Sequence, residues 1–117
     1  MVAHDYFTIA SHPAGADADG VVTSRVQLAG EFDIDSRDEL AGRLLGIVEA
    51  DAAARIVVDL HQVTFIDSEA IGALIEGHLA ADRAGIAFRL ASADGVVKRV
   101  LTVVGLDYLF DPPPAHG

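Results

Sequence analysis

The chain has 117 residues, of which 51% are hydrophobic and 22% are charged, so it can form one folded domain with one core but not two. Its 18 acidic and 8 basic side chains give a formal net charge of −10, which disfavours nucleic acid as a partner. Cysteine is absent, which excludes disulfides and thiolate nucleophiles. Because the N-terminus lacks a secretion-signal pattern and no long apolar run occurs, we expect a cytoplasmic protein that does not enter a membrane.

Two strands and a helix are predicted in the first part of the chain. Residues 6–10 are typical of a short strand, and alternation over 21–28 predicts a second strand that forms a hairpin with it across the loop 11–20. Gly30 is expected to end the second strand. Ser36 is predicted to be the N-cap of a helix, because its segment has the S-x-x-E form of a capping box. The apolar positions of this helix are Leu40, Leu44, Ile47 and Val48.

Two further strands and two helices follow. Residues 55–60 form a nearly continuous apolar run typical of a central strand, and extended structure is predicted to continue to Ile66 after a turn at residues 61–62. A helix follows Asp67 and ends at Gly85, and then a strand over 86–91 precedes a helical stripe that Gly105 closes. One face of the first of these helices carries Ile71, Leu74, Ile75, His78 and Leu79.

This order of elements predicts an α/β fold. Right-handed crossovers between successive strands give a mostly parallel mixed sheet, for which we expect about four to five strands, an N-terminal hairpin and packed helices. One domain is expected over residues 1–110, followed by a Pro-rich tail at 111–117.

Motifs for cofactors, metals and covalent catalysis are missing. Neither glycine-rich phosphate-binding pattern occurs at a strand-to-helix junction, and the five histidines show no metal-ligand spacing, so we expect no cofactor and no metal ion. No serine lies in the elbow of a hydrolase. Asp59 and Asp67 lie near strand ends, as a phosphoacceptor would, but the single lysine, Lys98, falls within a helical stripe, which disfavours a receiver domain.

Ser68 stands where a strand ends and a helix begins. The structural interpretation is an N-cap, whose hydroxyl accepts a hydrogen bond from the first helical turn and contributes about 1 kcal/mol. The functional interpretation is a phosphorylation site, because a phosphate there meets free amides and the positive end of the helix dipole. The two roles are compatible.

Four segments of the chain, taken together, resemble the successive blocks of the STAS domain. They are residues 30–33, 58–60, 63–68 and 104–110, which read GEFD, VDL, VTFIDS and VGLDYLF. The resemblance extends from about Tyr6 to Phe110, and the small members that the chain resembles most are anti-sigma factor antagonists. It implies a bacterial regulator of transcription that is a phosphoprotein substrate and not an enzyme.

The resemblance implies a phosphate cycle at Ser68. The partner is then an anti-sigma factor with serine kinase activity, which holds ATP and magnesium, binds the protein while Ser68 is free and releases it once Ser68 is phosphorylated. A metal-dependent serine phosphatase restores the hydroxyl. Helix residues 70–84 are expected to supply apolar contacts. The expected partner-binding residues are Asp33, Asp67, Ser68, Glu69 and Ile71.

The chain departs from the family pattern directly after Ser68. The usual D-S-[ST]-G-[LI] is replaced by D-S-E-A-I over residues 67–71, which places the permanent charge of Glu69 beside the phosphate acceptor. At a helix N-terminus that charge is favourable by about 0.3–1 kcal/mol, so Glu69 either stabilises the helix dipole or presses on the interface. Glu31 and Asp59 are also left open between a docking role and a structural one.

Two other functions stay open. The first is an interaction module of the same fold in another assembly, such as a lipid-transporter subunit or a signalling scaffold, without a phosphate cycle. The second is an enzyme that uses Asp33, Asp59 and Asp67 as acid–base groups. Such an enzyme requires a concave pocket in which these carboxylates converge.

Overall fold

A six-stranded mixed sheet organises residues 6–112, which are the part of the chain that the computed structural model describes. Its strands are β1 (Phe7–Ser11), β2 (Gly15–Ala16), β3 (Val22–Phe32), β4 (Arg55–Ile66), β5 (Ala87–Ala91) and β6 (Phe110–Asp111). The helices are α1 (Ile34–Ala50), α2 (Ser68–Arg83) and α3 (Gly95–Val103), with a 3₁₀ turn at Asp107–Leu109. The predicted α/β fold is confirmed. The sheet has six strands where about four to five were expected, because β2 and β6 have two residues each, too few to show alternation.

The strand order is β1-β3-β4-β5-β6, with β2 also paired to β3. β1 and β2 run antiparallel to β3, whereas β3, β4, β5 and β6 are parallel neighbours. The three parallel crossovers all step in the same direction along the sheet, and right-handed crossovers therefore place all three helices on one face. One core cluster includes Val58 of β4, Leu44 of α1, Leu74 of α2 and Leu101 of α3.

Within residues 6–112, right-handed crossovers leave the opposite face of the sheet without a helix. Arg25, Val57 and Arg89 occupy matching positions on β3, β4 and β5, one residue out of phase with the core positions. Both arginines are exposed, whereas Val57 between them is fully buried. We call the face that carries the exposed Arg25 and Arg89 the open face of the sheet, although Val57 between them is covered.

Two predicted interruptions are irregularities within continuous strands. The prediction that Gly30 ends β3 is wrong, since β3 continues to Phe32. Gly30 has a φ of +98° beside a shift in register with β4, and a side chain at this position would collide with the Tyr6 carbonyl oxygen. The predicted turn at residues 61–62 is also wrong, since β4 continues through a second register shift. There the Asp59 carboxylate accepts a hydrogen bond of 2.9 Å from the His61 amide, which gives Asp59 a structural role.

A close contact fixes α1 against α2. Gly77 of α2 is buried, and a β-carbon at this position would lie 2.7 Å from the side chain of Leu44 in α1. The absence of a side chain at Gly77 therefore lets the two helices approach each other.

Glycines mark the ends of α2 and α3. Gly85 and Gly105 lie just beyond α2 and α3 with φ of +74° and +84°, as predicted. Asp111 belongs to β6, so the sheet extends one residue into the segment expected to be a tail. Residues 1–5 and 113–117, which include most of that tail, lie outside the described part of the chain.

Candidate functional site

Two aspartates lie side by side where β3 and β4 end. The last residues of these strands, Phe32 and Ile66, are paired in register, and the Asp67 amide donates a hydrogen bond of 3.0 Å to the Phe32 carbonyl. Asp33 and Asp67 are each the next residue, and each is the N-cap of a helix. The N-termini of α1 and α2 therefore form one edge, at the carboxyl ends of the parallel strands, where α/β folds place their sites.

At the start of α1, the serine is buried and hydrogen-bonded. Ser36 Oγ accepts a hydrogen bond from the Asp33 amide and donates one to the Asp33 carbonyl, both at 2.9 Å. Asp33 Oδ1 in turn accepts from the Asp35 amide at 2.9 Å. The prediction that Ser36 is the N-cap is wrong, because α1 begins at Ile34 and aspartate caps a helix as well as serine does. Ser36, with no exposed surface, completes the cap from inside the first turn.

At the start of α2, the serine is exposed. Asp67 Oδ1 accepts hydrogen bonds of 3.0 Å from the amides of Glu69 and Ala70, so Asp67 is the N-cap and Ser68 is the first helical residue. The predicted capping role of Ser68 is therefore wrong. Within residues 6–112, the Ser68 hydroxyl forms no hydrogen bond. Its oxygen can react without breaking the cap of the helix.

A cation from α1 lies against this helix start. Arg37 Nε is 3.5 Å from Oε1 of Glu69, and Arg37 Nη1 is 3.3 Å from Oδ1 of Asp38. The Arg37 and Glu69 side chains are 45% and 48% exposed, so the pair lies on the surface and bridges α1 to α2. Arg37 is not among the site residues predicted from the sequence. The available signal was a basic residue near the N-terminus of a helix, where the dipole disfavours a cation.

An exposed stripe on α2 begins at Ser68. Gly72, Ile75 and Leu79 follow at i+4, i+7 and i+11, the spacing of one helix face, and all four residues are exposed. At 1.5 Å per residue the stripe is about 16 Å long. We call these four residues the Ser68 stripe. It joins a free hydroxyl to a continuous row of apolar or small side chains.

Ile71, expected among the partner-binding residues, lies in the core. It is 5% exposed, whereas Ile75 and Leu79 are 36% and 48% exposed. All three share one face by helical spacing, which alone does not locate the border between buried and exposed positions. The apolar surface beside Ser68 therefore comes from Ile75 and Leu79.

The three carboxylates of the enzyme alternative do not converge. Asp59 precedes Asp67 by eight residues of extended chain, which at about 3.3 Å per residue separates the two by roughly 25 Å. Asp33 and Asp67 are close, but each carboxylate binds amides of its own helix. These residues do not form a shared acid–base site.

Another charged cluster lies at the opposite end of β4. Arg55 binds Asp19 through Nη1 at 2.9 Å and Asp17 through Nη2 at 3.0 Å. The hydrogen bond from Arg55 holds the pKa of Asp19 at about 2, below its usual 3.8. The same contacts raise the pKa of Arg55. The cluster ties the segment after β1 to the sheet and is separated from Ser68 by the length of β4.

Residues 6–112 contain neither a metal-binding cluster nor a membrane-spanning helix. No histidine, aspartate or glutamate side chains in this range form a group of three or more that could hold a metal ion. No helix in the same range is long and apolar enough to cross a bilayer.

Several solved structures share this fold. The anti-sigma factor antagonist SpoIIAA in its unphosphorylated form matches with a TM-score of 0.75 and 16% identity over 88% of this chain and 85% of that chain. The phosphorylated form of this Bacillus protein matches with a TM-score of 0.69 and 14% identity over 88% of each chain. An anti-sigma factor antagonist from Mycobacterium paratuberculosis matches with a TM-score of 0.74 and 23% identity over 94% of this chain and 87% of that chain. A sulfate transporter family protein from Wolinella succinogenes matches with a TM-score of 0.62 and 17% identity over 75% of each chain.

The sequence itself matches a family model described as "Mlab, STAS domain" over residues 16–111. The chain belongs to the STAS-domain family, which confirms the resemblance seen in its sequence blocks. Family membership and fold agree, since the matched range contains all three helices and the whole sheet apart from β1 and the first residue of β2, Gly15.

Proposed function

We propose that the protein is an anti-sigma factor antagonist that docks through the Ser68 stripe and the adjoining helix starts while Ser68 carries a free hydroxyl. Its partner is an anti-sigma factor with Mg-ATP-dependent serine kinase activity, and phosphorylation of Ser68 releases the complex. The fold-level likeness to SpoIIAA and to the M. paratuberculosis antagonist supports this assignment. Asp33, Asp67 and Glu69 flank the docking surface.

The observation that carries the proposal is the environment of Ser68. Its side chain is exposed, its hydroxyl has no hydrogen bond among residues 6–112, and Asp67 caps the helix without it. A kinase can therefore reach the hydroxyl and modify it without unfolding α2. Ile75 and Leu79 continue from Ser68 as apolar surface that a partner would cover.

In the transfer step, Ser68 Oγ attacks the γ-phosphorus of ATP held by the kinase. The Oγ–P bond forms while the bond from that phosphorus to the β,γ-bridging oxygen breaks, ADP leaves with its magnesium, and the hydroxyl proton passes to a base of the kinase. Hydrolysis by a phosphatase consumes one water and returns the hydroxyl and inorganic phosphate. The protein is a substrate in both steps.

Phosphorylation changes the charge at the head of the stripe. The phosphate adds about −1.5 to −2 charges at pH 7, between the carboxylates of Asp67 and Glu69. Unfavourable charges at an interface cost several kcal/mol, and 1.4 kcal/mol is a factor of ten, so we expect affinity to fall roughly 100-fold or more.

The experiment incubates the protein with its cognate kinase and Mg-ATP and locates the phosphate by mass spectrometry. Native protein and Ser68→Ala are compared with Ser92→Ala, a matched control because Ser92 is also an exposed serine between a strand and a helix. We expect phosphate on Ser68 alone and native-like modification of Ser92→Ala. Phosphate elsewhere, or none on native protein that binds the active kinase, overturns the proposal.

A second function keeps the docking surface but has no phosphate cycle. The match to the Wolinella sulfate transporter family protein favours a module of a transport assembly, and the fixed charge of Glu69 beside Ser68 fits a serine that is never modified. The partner is then a subunit of a transporter, for example of lipids, or a signalling scaffold. Ser68→Glu separates the two functions, because equal affinity of Ser68→Glu and Ser68→Ala for the partner indicates the second and a large loss indicates the first.

A further inference from the structure

The helix amides beside Ser68 are already occupied. The amides of Glu69 and Ala70 both donate to Asp67 Oδ1 at 3.0 Å. A phosphate on Ser68 cannot accept from these two amides unless it displaces the cap that starts α2. These two amides are therefore not free for the phosphate, and a nearby cationic side chain would be its strongest hydrogen-bond donor.

Arg37 is placed to supply them and is loosely held. Its Nε lies 3.5 Å from Glu69 Oε1, which is longer than the 2.7–2.9 Å of a charge-assisted hydrogen bond. Its Nη1 contacts Asp38, whose side chain is 96% exposed, at 3.3 Å. Within residues 6–112, Nη2 of Arg37 has no hydrogen-bond partner. The guanidinium thus has donors to spare next to the residue that follows Ser68.

A phosphate would compete well for this guanidinium. It carries up to two charges and three acceptor oxygens, and the planar fork of arginine binds two of them at once. Glu69 offers one charge through a long contact on the surface, where ion pairs are weak. The exchange needs only a rotation of the half-exposed Arg37 side chain, since α1 and α2 are already joined at this point.

We propose that Arg37 is the counter-ion of a phosphate on Ser68 and that Glu69 holds the guanidinium beside Ser68 until the phosphate takes it. This inference rests on the proposed modification of Ser68. The exchange leaves the Glu69 carboxylate unpaired, so the docking edge gains the phosphate and an uncompensated carboxylate together. The glutamate that departs from the family pattern therefore acts as the resting partner of Arg37.

The test installs phosphoserine at position 68 by genetic encoding and follows its second ionisation by ³¹P NMR as a function of pH. No kinase is needed, so failure of the proposed phosphate cycle and failure of this inference give different results. The variants are Arg37→Gln, Arg37→Lys and Glu69→Gln. Arg89→Gln is the control, because Arg89 is an exposed arginine on the open face of the sheet.

An ordinary phosphoserine has a second pKa of about 6. A neighbouring cation stabilises the dianion, so Arg37→Gln should raise the phosphate pKa by about 0.5–1 unit relative to the unsubstituted phosphoprotein. Arg37→Lys should recover part of this shift, since it keeps the charge and loses the fork. Glu69→Gln should lower the pKa, because a competing negative charge is removed.

Equal phosphate pKa values in Arg37→Gln and Arg89→Gln overturn the inference. A merely structural role of Arg37 would change the thermal midpoint and leave the phosphate pKa unaltered, so melting curves of the same samples distinguish the two. A raised pKa in both Arg37→Gln and Arg89→Gln also overturns it, because the effect would then come from net charge.

Discussion

The starts of α1 and α2 follow the same plan but expose different atoms. Each helix follows the end of a parallel strand, and in each an aspartate accepts amide hydrogen bonds as the N-cap. In α1 the serine is the third helical residue and its hydroxyl turns back to Asp33, whereas in α2 it is the first and its hydroxyl faces solvent. The position of a serine within the first turn therefore decides whether its hydroxyl stabilises the helix or is available for modification.

The largest difference is expected in stability when each serine is replaced. Ser36→Ala removes the acceptor of the part-buried Asp33 amide, so it should lower the free energy of unfolding by about 1–3 kcal/mol. Ser68→Ala removes an exposed, unbonded hydroxyl and should change it by less than about 0.5 kcal/mol. Chemical denaturation measures both values, and equal losses would contradict the difference between the bonded hydroxyl of Ser36 and the unbonded hydroxyl of Ser68.

The cap of α2 should depend on Asp67. Asp67→Ala removes the acceptor of two amides and should cost about 1 kcal/mol of unfolding free energy. Asp67→Asn keeps a side-chain oxygen as acceptor and should cost only a few tenths. If Asp67→Ala lowered the unfolding free energy no more than Ser68→Ala does, Asp67 would not be the N-cap of α2.

The contact that holds the two helices together should be sensitive to one methyl group. Gly77→Ala places a β-carbon against Leu44, and overpacking of about 1–3 kcal/mol exceeds the gain in helix propensity of about 1 kcal/mol. Gly46→Ala in α1 meets open space and should stabilise by about 0.5–1 kcal/mol. Thermal melts of both variants compare them, and stabilisation by Gly77→Ala would mean that α1 and α2 are less closely packed.

The smallest effect should come from the charged cluster at the other end of β4. Arg55 lowers the pKa of Asp19 from 3.8 to about 2, so the contribution of Asp19 to stability is present above about pH 4 and is lost as pH falls through about 2. Arg55→Gln should raise the Asp19 pKa toward 3.8 and leave phosphorylation of Ser68 unchanged. Carboxyl ¹³C NMR titration follows Asp19, and an unaltered titration in the variant contradicts the pairing.

Much of the fold was predictable because its signals are local. The apolar run of β4, the helical spacing of α2 and the glycines after α2 and α3 each act within a few residues. Gly30 and residues 61–62 were misjudged because a register shift in a sheet depends on the neighbouring strand, which periodicity in one segment does not reveal.

The site was only partly predictable for a similar reason. Ser68 could be found because a strand end and a helix start meet at this residue. Its neighbour Asp67 was not recognised as the cap, since aspartate and serine are equally good caps and stand next to each other. The unfavourable position of Arg37 near the start of a helix was visible in the sequence, but its proximity to Glu69 depends on the packing of α1 against α2 and could not be predicted.

If the charge state of Ser68 controls docking, calorimetry with the anti-sigma factor will detect it. Unmodified protein is compared with the same chain carrying encoded phosphoserine at position 68, at one pH and one salt concentration. Ser92 modified in the same way is the control for added charge. We expect a loss of affinity of roughly 100-fold or more for the phosphate on Ser68 and little change for that on Ser92. Equal affinities of the unmodified and Ser68-phosphorylated proteins would contradict it.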